Sequence, residues 1–287
     1  MRTRRARPLL GTLVDIRIDG VDAARALAAI EAAFDEVATV HRLMSFHDAA
    51  SDVSRINRDA AREAVTVDAR TREVVALALA FARASQGRFD PTVAAELVAW
   101  DLLPRPADAP TPACGTDWRD IEVLDDRRIR AARPLWIDLG GIAKGYAVDR
   151  AIECLVALGI ETACVNAGGD LRRIGHGMEP VHIRAPSAPH RPVRTLLLGT
   201  GSIASSGSYF ERAQHRERSV GPHVEGRTRT PMLDRSVSVA AERCAVADAL
   251  TKIVMSDADA ALPLLAAWDA EALLVDGGAA RLVGCAA

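Results

Sequence analysis

Apolar residues recur three and four positions apart in several parts of the chain, which is the spacing of one face of a helix. The clearest segment covers residues 21–43, where Ile30, Phe34 and Val37 follow this rule. A short helical turn ending at residues 56–57 comes next. Further helices are predicted over residues 69–85, 142–158, 245–255 and 258–268.

Alternation of apolar and polar residues predicts strands between these helices. The first covers residues 15–19, where Asp15 stops the apolar run of residues 8–14, so the core of a signal peptide is not indicated. Residues 105–117 and 187–192 are rich in proline and are predicted to be loops. Other strands are predicted over residues 121–123, 129–131, 135–138, 162–166, 181–184, 195–198 and 236–240, with a closing hairpin of 273–275 and 282–283.

The order of these elements bears on the fold class. Helices and strands do not alternate regularly, so an α+β fold is predicted rather than a doubly wound parallel sheet. No linker is recognisable in the sequence. Residues 1–287 are therefore expected to form one catalytic unit, with two lobes as the alternative.

The charges of the chain nearly cancel, since 36 Lys and Arg stand against 38 Asp and Glu. This balance gives no reason to expect nucleic acid or an anionic membrane as a partner. No apolar run approaches the ~20 residues of a membrane span, and a cytoplasmic location is expected. The arginines at positions 2, 4, 5 and 7 are predicted to form a solvated basic tail.

The cysteines argue against two kinds of site. There are five of them, an odd number, and they are widely spaced with no CxxC pair. Neither a disulfide framework nor a thiolate zinc site is indicated. We expect reduced and mostly buried thiols.

The densest chemical signal lies at residues 136–149. There a predicted strand ends in Asp138, passes through two glycines and enters a helix whose first turn carries Lys144. Glycines allow a ligand to approach the backbone, and a helix N-terminus offers N–H groups to an anion. The lysine adds a positive charge that suits a phosphate. Strand–turn–helix units with glycines are common, so the pattern alone is weak.

Four other segments add to this signal, although each also has an ordinary structural explanation. Residues 87–93 could simply be a capped helix start, and residues 166–170 a tight turn. Residues 205–209 are rich in hydroxyl groups, which suits a loop or a phosphate site. Asp248 and Lys252 lie four positions apart on one helix face, where an ion pair is the simplest interpretation.

In this order, the segments resemble the signature of the FAD:protein FMN transferases, the ApbE family, over most of the chain. The resemblance is strongest where residues 138–149 match D-L-G-G-I-A-K-G-Y-A-V-D nearly letter for letter. Further matches are Leu10-Gly11-Thr12 to M-G-T, residues 44–57 to M-S-x-Y and S-x-I-N, residues 87–93 to G-x-F-D-P-T-V, residues 166–170 to N-A-G-G-D, and residues 206–209 to S-G-D-Y.

The resemblance implies an ApbE-like architecture with the flavin site between two lobes. It implies an enzyme that uses FAD as substrate with a divalent metal, usually magnesium. Such an enzyme transfers FMN to a hydroxyl group of an acceptor flavoprotein and releases AMP. The residues implied to contact FAD are Leu10, His47, Arg88, Phe89, Asp90, Asp138, Lys144, Ser206 and Tyr209.

The resemblance also implies a metal site and a base. Gly141 would offer its carbonyl to the metal, together with Asp248 and Thr251. His223 corresponds to the histidine that opens H-I-I-D-P-R-T-G and could act as a base near the transferred phosphoryl group. Alone, it would more often be an ordinary surface histidine.

Two departures from the family pattern lie close to this chemistry. The segment after His223 lacks D-P-R-T-G, and Lys252 stands where the family has a threonine metal ligand. Either Lys252 brings its ammonium group into the space of the metal, or the metal persists with fewer protein ligands and more water. Two other functions therefore stay open: an FAD pyrophosphatase that yields FMN and AMP, and a non-catalytic FAD-binding paralogue.

Overall fold

The structure, a computed structural model, describes residues 2–185, 188–207, 212–276 and 279–284. Its helices are α1 (Ala23–Met44), α2 (Asp52–Asp59), α3 (Ala69–Ala84), α4 (Ala94–Ala99), α5 (Ala143–Ala157), α6 (Cys244–Ser256) and α7 (Ala258–Ala267). The five long predicted helices are confirmed, with ends within two residues of the prediction. No helix in these ranges has both the length and the apolar composition needed to cross a membrane.

The strands account for most of the differences from the prediction. They are β1 (Arg2–Leu9), β2 (Thr12–Asp19), β3 (Val65–Thr66), β4 (Ile121–Val123), β5 (Arg128–Ala131), β6 (Ala163–Ala167), β7 (Asp170–Ile174), β8 (Glu179–Ala185), β9 (Ala188–Leu198), β10 (Gly201–Gly207), β11 (Ala213–His215), β12 (Arg218–Val220), β13 (Arg235–Ala241), β14 (Glu271–Asp276) and β15 (Ala279–Val283). The predicted loop at 187–192 is wrong from residue 188 onward, because β9 begins there. Residue 187 lies outside the described residues.

The chain divides into two compact units, of which the first comprises Met1–His41, Ile142–Gly207 and Asp234–Ala287. Its main sheet is antiparallel throughout, with the strand order β1-β2-β6-β7-β10-β13-β14-β15. Helix α6 packs on β10 and β13, and α5 packs on α6, β6 and β7. An antiparallel sheet covered by helices confirms the predicted α+β class.

The arginine-rich start of the chain is strand β1, so the prediction of a solvated tail is wrong. This strand pairs along its whole length with β2, from Arg2 opposite Asp19 to Leu9 opposite Thr12. Arg2, Arg4 and Arg7 pair with acidic side chains, as when Arg4 donates to Asp15 at 2.6 Å. The run of positive charges led to the prediction of a solvated tail. The neighbouring carboxylates offset these charges and make a paired strand possible.

The second unit comprises Arg42–Gly141 and Ser208–Leu233. It holds α2, α3, α4, the sheet β3-β5-β4 and the hairpin β11-β12. The buried Asp52 ties α2 to the start of α3, because it accepts hydrogen bonds from Asp68 N at 2.9 Å and Thr71 Oγ1 at 2.8 Å. The proline-rich residues 105–117 contain no helix or strand, as predicted.

Residues 135–138 do not form a strand, contrary to the prediction. The side chain of Asn57 accepts from Ile137 N at 2.7 Å and donates to Ile137 O at 3.1 Å. Asp138 N donates to Pro91 O at 2.8 Å. A side-chain amide carries the same donor and acceptor as a peptide, so Asn57 takes the place of a partner strand.

The cysteines follow the expected pattern only in part. Cys114, Cys154, Cys164 and Cys244 are free thiols. Cys164 and Cys244 are buried, whereas Cys114 is exposed. Burial raises the pKa of the Cys164 thiol to about 11, so this thiol is inert near neutral pH.

Candidate active site

Four side chains form a buried charged cluster in the first unit: Lys144, Asp170, Asp248 and Lys252. Lys144 Nζ lies 3.1 Å from Asp170 Oδ2 and 3.7 Å from Asp248 Oδ2. Lys252 Nζ pairs with Asp248 Oδ1 and also donates to the main-chain oxygen of Asp248 at 3.2 Å. The Asp248 side chain is fully buried, whereas 32% of the Lys144 side chain is exposed. The charged cluster therefore reaches the surface through Lys144.

The members of the charged cluster shift one another's pKa values. Burial and the neighbouring Asp248 raise the pKa of Asp170, against the effect of the two lysines. Burial alone would lower the pKa of Lys144, but the carboxylates of Asp170 and Asp248 outweigh it and raise that pKa. Burial alone would raise the pKa of Asp248, but Lys144 and Lys252 hold it below its ordinary value. Asp248 is thus the more acidic of the two carboxylates.

Three elements bring the charged cluster together. Asp248 and Lys252 lie one turn apart on α6, so both project from the same face. Lys144 belongs to the first turn of α5. Asp170 begins β7 directly after a two-glycine turn. The predicted ion pair of Asp248 and Lys252 is confirmed, and the structure extends it to four charges.

Helices α5 and α6 approach closely at Gly145. A methyl group at this position would lie 2.9 Å from the Cα of Ala245 and would overlap the backbone carbonyl of Cys244. The close approach lets Gly145 N donate to Asp248 Oδ2 at 3.2 Å. Glycine is required here because no side chain fits between the two helices.

Asp149, a residue of α5, caps the N-terminus of α6. Its carboxylate accepts from Cys244 N at 2.9 Å and Ala245 N at 3.0 Å, and it pairs with Arg172 at 2.7 Å. The side chain is completely buried. First-turn N–H groups have no partner within their own helix, so a carboxylate from α5 satisfies two of them. The motif 138–149 therefore fixes α6 as well as Lys144.

Two tight turns meet in the first unit. Leu10 and Gly11 join β1 to β2 with positive φ angles of 56° and 71°. Gly168 lies in the turn between β6 and β7, and a Cβ there would overlap the side chain of Thr12. The structure thus brings the Leu10–Thr12 and 166–170 segments together. A leucine in the left-handed region is strained, and such strain is concentrated at ligand sites.

The hydroxyl groups of Ser206 and Thr251 bond to each other at 2.7 Å. Thr251 Oγ1 also donates to Asp248 O at 2.6 Å. Ser206 lies in β10, so the loop interpretation of residues 205–207 is wrong. The buried hydroxyl group of Ser206 is satisfied by Thr251 of α6. Residues 208–209, including the predicted FAD contact Tyr209, lie outside the described residues.

The second unit holds the other predicted FAD contacts. Asp138 is half-buried, and its carboxylate folds over Gly140, where a Cβ would lie 2.9 Å from Asp138 Oδ2. Asn57 fixes the adjacent Ile137 through both backbone groups. His47 is exposed and Gly141 is half-buried. The arrangement presents the carboxylate of Asp138 from a rigid backbone.

Contacts within the second unit hold residues 88–92 in place. Phe89 is buried and packs edge-on against Phe81, with ring centroids 6.4 Å apart. Asp90 Oδ1 accepts from the backbone and hydroxyl groups of Thr92, each at 2.8 Å. Arg229 donates to Asp90 Oδ2 at 2.9 Å. Burial raises the pKa of Asp90 although Arg229 opposes this effect. Phe89 and Asp90 therefore hold the turn in shape.

His223 opens a short hairpin that packs on this turn. Its carbonyl accepts from Met232 N at 2.8 Å, and the side chain is half-buried. Glu225 Oε2 accepts from Arg227 N at 2.9 Å, which closes the turn after His223. Gly226 N donates to Arg88 O at 3.0 Å. The altered segment after His223 thus still forms a defined turn.

Replacing Arg229 by alanine should destabilise the second unit by about 2 kcal/mol. Breaking a buried pair costs more than this, but 22% of the Arg229 side chain is exposed and water can solvate part of the site. Urea denaturation followed by tryptophan fluorescence would measure the loss. The exposed Arg227→Ala is the matched control, with an expected change below about 0.5 kcal/mol. Equal effects of the two substitutions would contradict the bracing role.

Four residues with clear roles were not among the predicted site residues: Asn57, Asp149, Asp170 and Arg229. Asn57, Asp149 and Asp170 lie in segments that match the family pattern, and this match could have identified them as candidates. Arg229 lies in the segment that departs from the family pattern, so no motif indicated it. Their contacts join parts of the chain that are distant in sequence, as with Arg229 and Asp90, 139 positions apart.

Comparison with known proteins agrees with this geometry. The sequence profile of the ApbE family matches residues 10–274. The FAD:protein FMN transferase of Treponema pallidum is 27% identical over 279 residues, covering 86% of this chain and 76% of that protein. The enzyme of that name from Vibrio cholerae is 30% identical over 234 residues, covering 75% of this chain and 69% of its own length.

Solved structures show the same fold. The crystal structure of the ApbE protein from Thermotoga maritima has a TM-score of 0.87 at 28% identity and covers 98% of this chain and 96% of its own. The flavin transferase ApbE from Vibrio cholerae shares the fold with a TM-score of 0.76 at 22% identity, over 98% of this chain and 96% of its own. The chain belongs to the ApbE family.

Proposed function

We propose that this chain transfers FMN from FAD to a serine or threonine hydroxyl of an acceptor flavoprotein, with release of AMP. Family membership and the names of the relatives support this function. The observation that carries the proposal is the charged cluster, where Lys144 in the first turn of α5 and Lys252 on α6 flank the carboxylate of Asp248. Their two ammonium groups can donate to the oxygens of a pyrophosphate. A cytoplasmic location stays a prediction.

The reaction exchanges the phosphoanhydride link of FAD for a phosphoester link to the acceptor. The acceptor hydroxyl oxygen forms a bond to the phosphorus of the FMN half. The bond from this phosphorus to the oxygen that bridges to AMP breaks, and AMP leaves with that oxygen and its electron pair. The hydroxyl proton passes to a base, for which His223 is the candidate. Negative charge gathers on the phosphoryl oxygens, and Lys144 would stabilise it.

The FAD contacts divide into two groups by their geometry. His47 is exposed, whereas Leu10, Arg88, Asp138 and Lys144 are partly exposed, and we assign these five to contact with FAD. Phe89, Asp90 and Ser206 are buried and bond or pack within the protein. We assign these three to the support of the site.

The magnesium ion that the resemblance implies does not fit the proposed ligands. Asp248 Oδ1 is paired with Lys252, and Oδ2 accepts from Gly145 N at 3.2 Å beside Lys144. Thr251 Oγ1 is fully buried and bonded to Ser206. No group of three or more His, Cys, Asp or Glu side chains within the described ranges could hold a metal ion. Magnesium needs oxygen ligands with free lone pairs, so the proposal uses no metal.

The test is to incubate the protein with FAD and an acceptor flavoprotein, then to detect the FMN adduct by mass spectrometry and AMP by chromatography. Transfer should give both products in equal amounts. AMP without an adduct would indicate hydrolysis by water instead. Neither product, with FAD still bound, would identify a non-catalytic flavin-binding protein.

His223→Gln should reduce the rate of transfer by about 100-fold or more, which is the usual contribution of a positioned base. FAD affinity, measured by fluorescence quenching, should change little because the base acts on the acceptor. An unchanged rate in this variant would exclude His223 as the base.

A further inference from the structure

The lysine content of the chain points to the charged cluster. Among the 36 basic residues only two are lysines, Lys144 and Lys252, and the other 34 are arginines. Both lysine side chains form ion pairs with the carboxylate of Asp248. A chain that uses arginine everywhere else therefore has compact ammonium groups only here. An ammonium group is a point charge with three donors, whereas a guanidinium group is a larger planar fork.

The position of Lys252 is unusual for a lysine. Every residue of α6 from Cys244 to Met255 is buried, and Lys252 and Asp248 are the charged residues among them. Only 10% of the Lys252 side chain is exposed. Burying an ammonium group costs free energy unless the group is paired. Contact with solvent therefore does not explain a lysine at this position, whereas the ion pair with Asp248 does.

We propose that the Lys252 ammonium group takes the place of a divalent cation at Asp248, so that FMN transfer needs no metal. This inference rests on the proposed function. Without Lys252, the two carboxylates and Lys144 would leave one negative charge, which would favour a cation. With Lys252 the charges of the charged cluster cancel. A divalent cation at Asp248 would have to displace an ammonium group and would be repelled by Lys144.

The ammonium group can also act on the substrate. Both acceptors described for Lys252 belong to Asp248, and an ammonium group has three donors. Within the described residues, this leaves one N–H for a phosphoryl oxygen of FAD. Because Lys252 belongs to a buried helix, its ammonium charge and its N–H donor are held in place before the reaction. They can then stabilise the negative charge that develops in the transition state.

The presence of only two lysines allows a direct test of metal binding. Labelling lysine Cε with ¹³C should give two cross-peaks in an NMR spectrum, and Lys252→Met assigns them. Mn²⁺, a paramagnetic probe, should leave both signals of the wild type sharp, with and without FAD. In Lys252→Thr, Mn²⁺ should broaden the Lys144 signal. Selective broadening in the wild type would overturn the inference.

Turnover gives the second measurement. The wild type should transfer FMN at the same rate in EDTA and in magnesium. Lys252→Thr should lose about 100-fold in EDTA and recover with magnesium. Lys252→Met, which removes the charge without adding a hydroxyl ligand, should lose as much without recovery. Loss of wild-type activity in EDTA would also overturn the inference.

The two measurements separate this inference from the proposed function. If the wild type transfers no FMN under any condition, the proposed function fails, whereas the Mn²⁺ titration still shows whether Asp248 binds a metal. A thermal denaturation curve for each variant shows whether it is folded. The wild-type titration needs no variant at all.

Discussion

Asp149→Ala should lower the free energy of unfolding of the first unit by about 4 kcal/mol, within the range for breaking a buried ion pair. The substitution leaves Arg172 without its partner at 2.7 Å. It also leaves the N–H groups of Cys244 and Ala245 unsatisfied at a buried helix N-terminus. Loss of a helix cap alone costs about 1 kcal/mol. The first turn of α6 should therefore loosen.

Chemical denaturation of the full chain would measure this loss, and hydrogen exchange would locate it. Protection should fall first at the amides of α6. Asp259→Ala, at a side chain that is 84% exposed, is the matched control and should change stability by less than about 0.5 kcal/mol. A change of the same size in both variants would show that Asp149 does not hold α6.

Gly145→Ala should destabilise the first unit by about 3 kcal/mol, the cost of overpacking a rigid site. Helix propensity predicts the opposite sign, because alanine in a helix is favoured over glycine by about 1 kcal/mol. The added methyl group would overlap the carbonyl of Cys244. Backbone atoms cannot rotate away, so α5 and α6 would have to separate. The hydrogen bond from Gly145 N to Asp248 would then lengthen.

Thermal unfolding would decide between these two signs. Val156→Ala is the matched control, since Val156 lies on the same helix with 55% of its surface exposed. Its effect should stay below about 0.5 kcal/mol. A Gly145→Ala variant as stable as the wild type would mean that the two helices are not in close contact at this point.

The helices could be predicted because each combines a regular apolar pattern with a recognisable end. The strands β7 and β10 could not. Strand β7 carries Asp170, Arg172 and Arg173, and β10 carries Ser202 and Ser206, all of which read as loop residues. These polar groups are accepted in the sheet because partners distant in sequence or in adjoining loops satisfy them, as Asp149 does for Arg172 and the carbonyl of Glu242 does for Ser202. A single sequence does not show such partners.

The candidate site was predictable to a similar extent. Spacing indicated the pair of Asp248 and Lys252, and the glycine-rich segment indicated Lys144. Asp170 could not be joined to them from the sequence, because a sheet and two helices bring it there. The resemblance implies FAD contacts for Phe89 and Asp90, and both side chains are buried beneath the turn. Residue type alone does not tell which side of a turn a side chain occupies.

The arginines of β1 have a consequence for solubility. In the described part of the chain, β1 and β15 are the outer strands of an open eight-stranded sheet. The free edge of such a strand can pair with another molecule and start aggregation. Strand β1 carries four arginines and a proline in eight residues, and repulsion between two such edges disfavours their pairing. The basic run therefore keeps the sheet from growing from one molecule into the next.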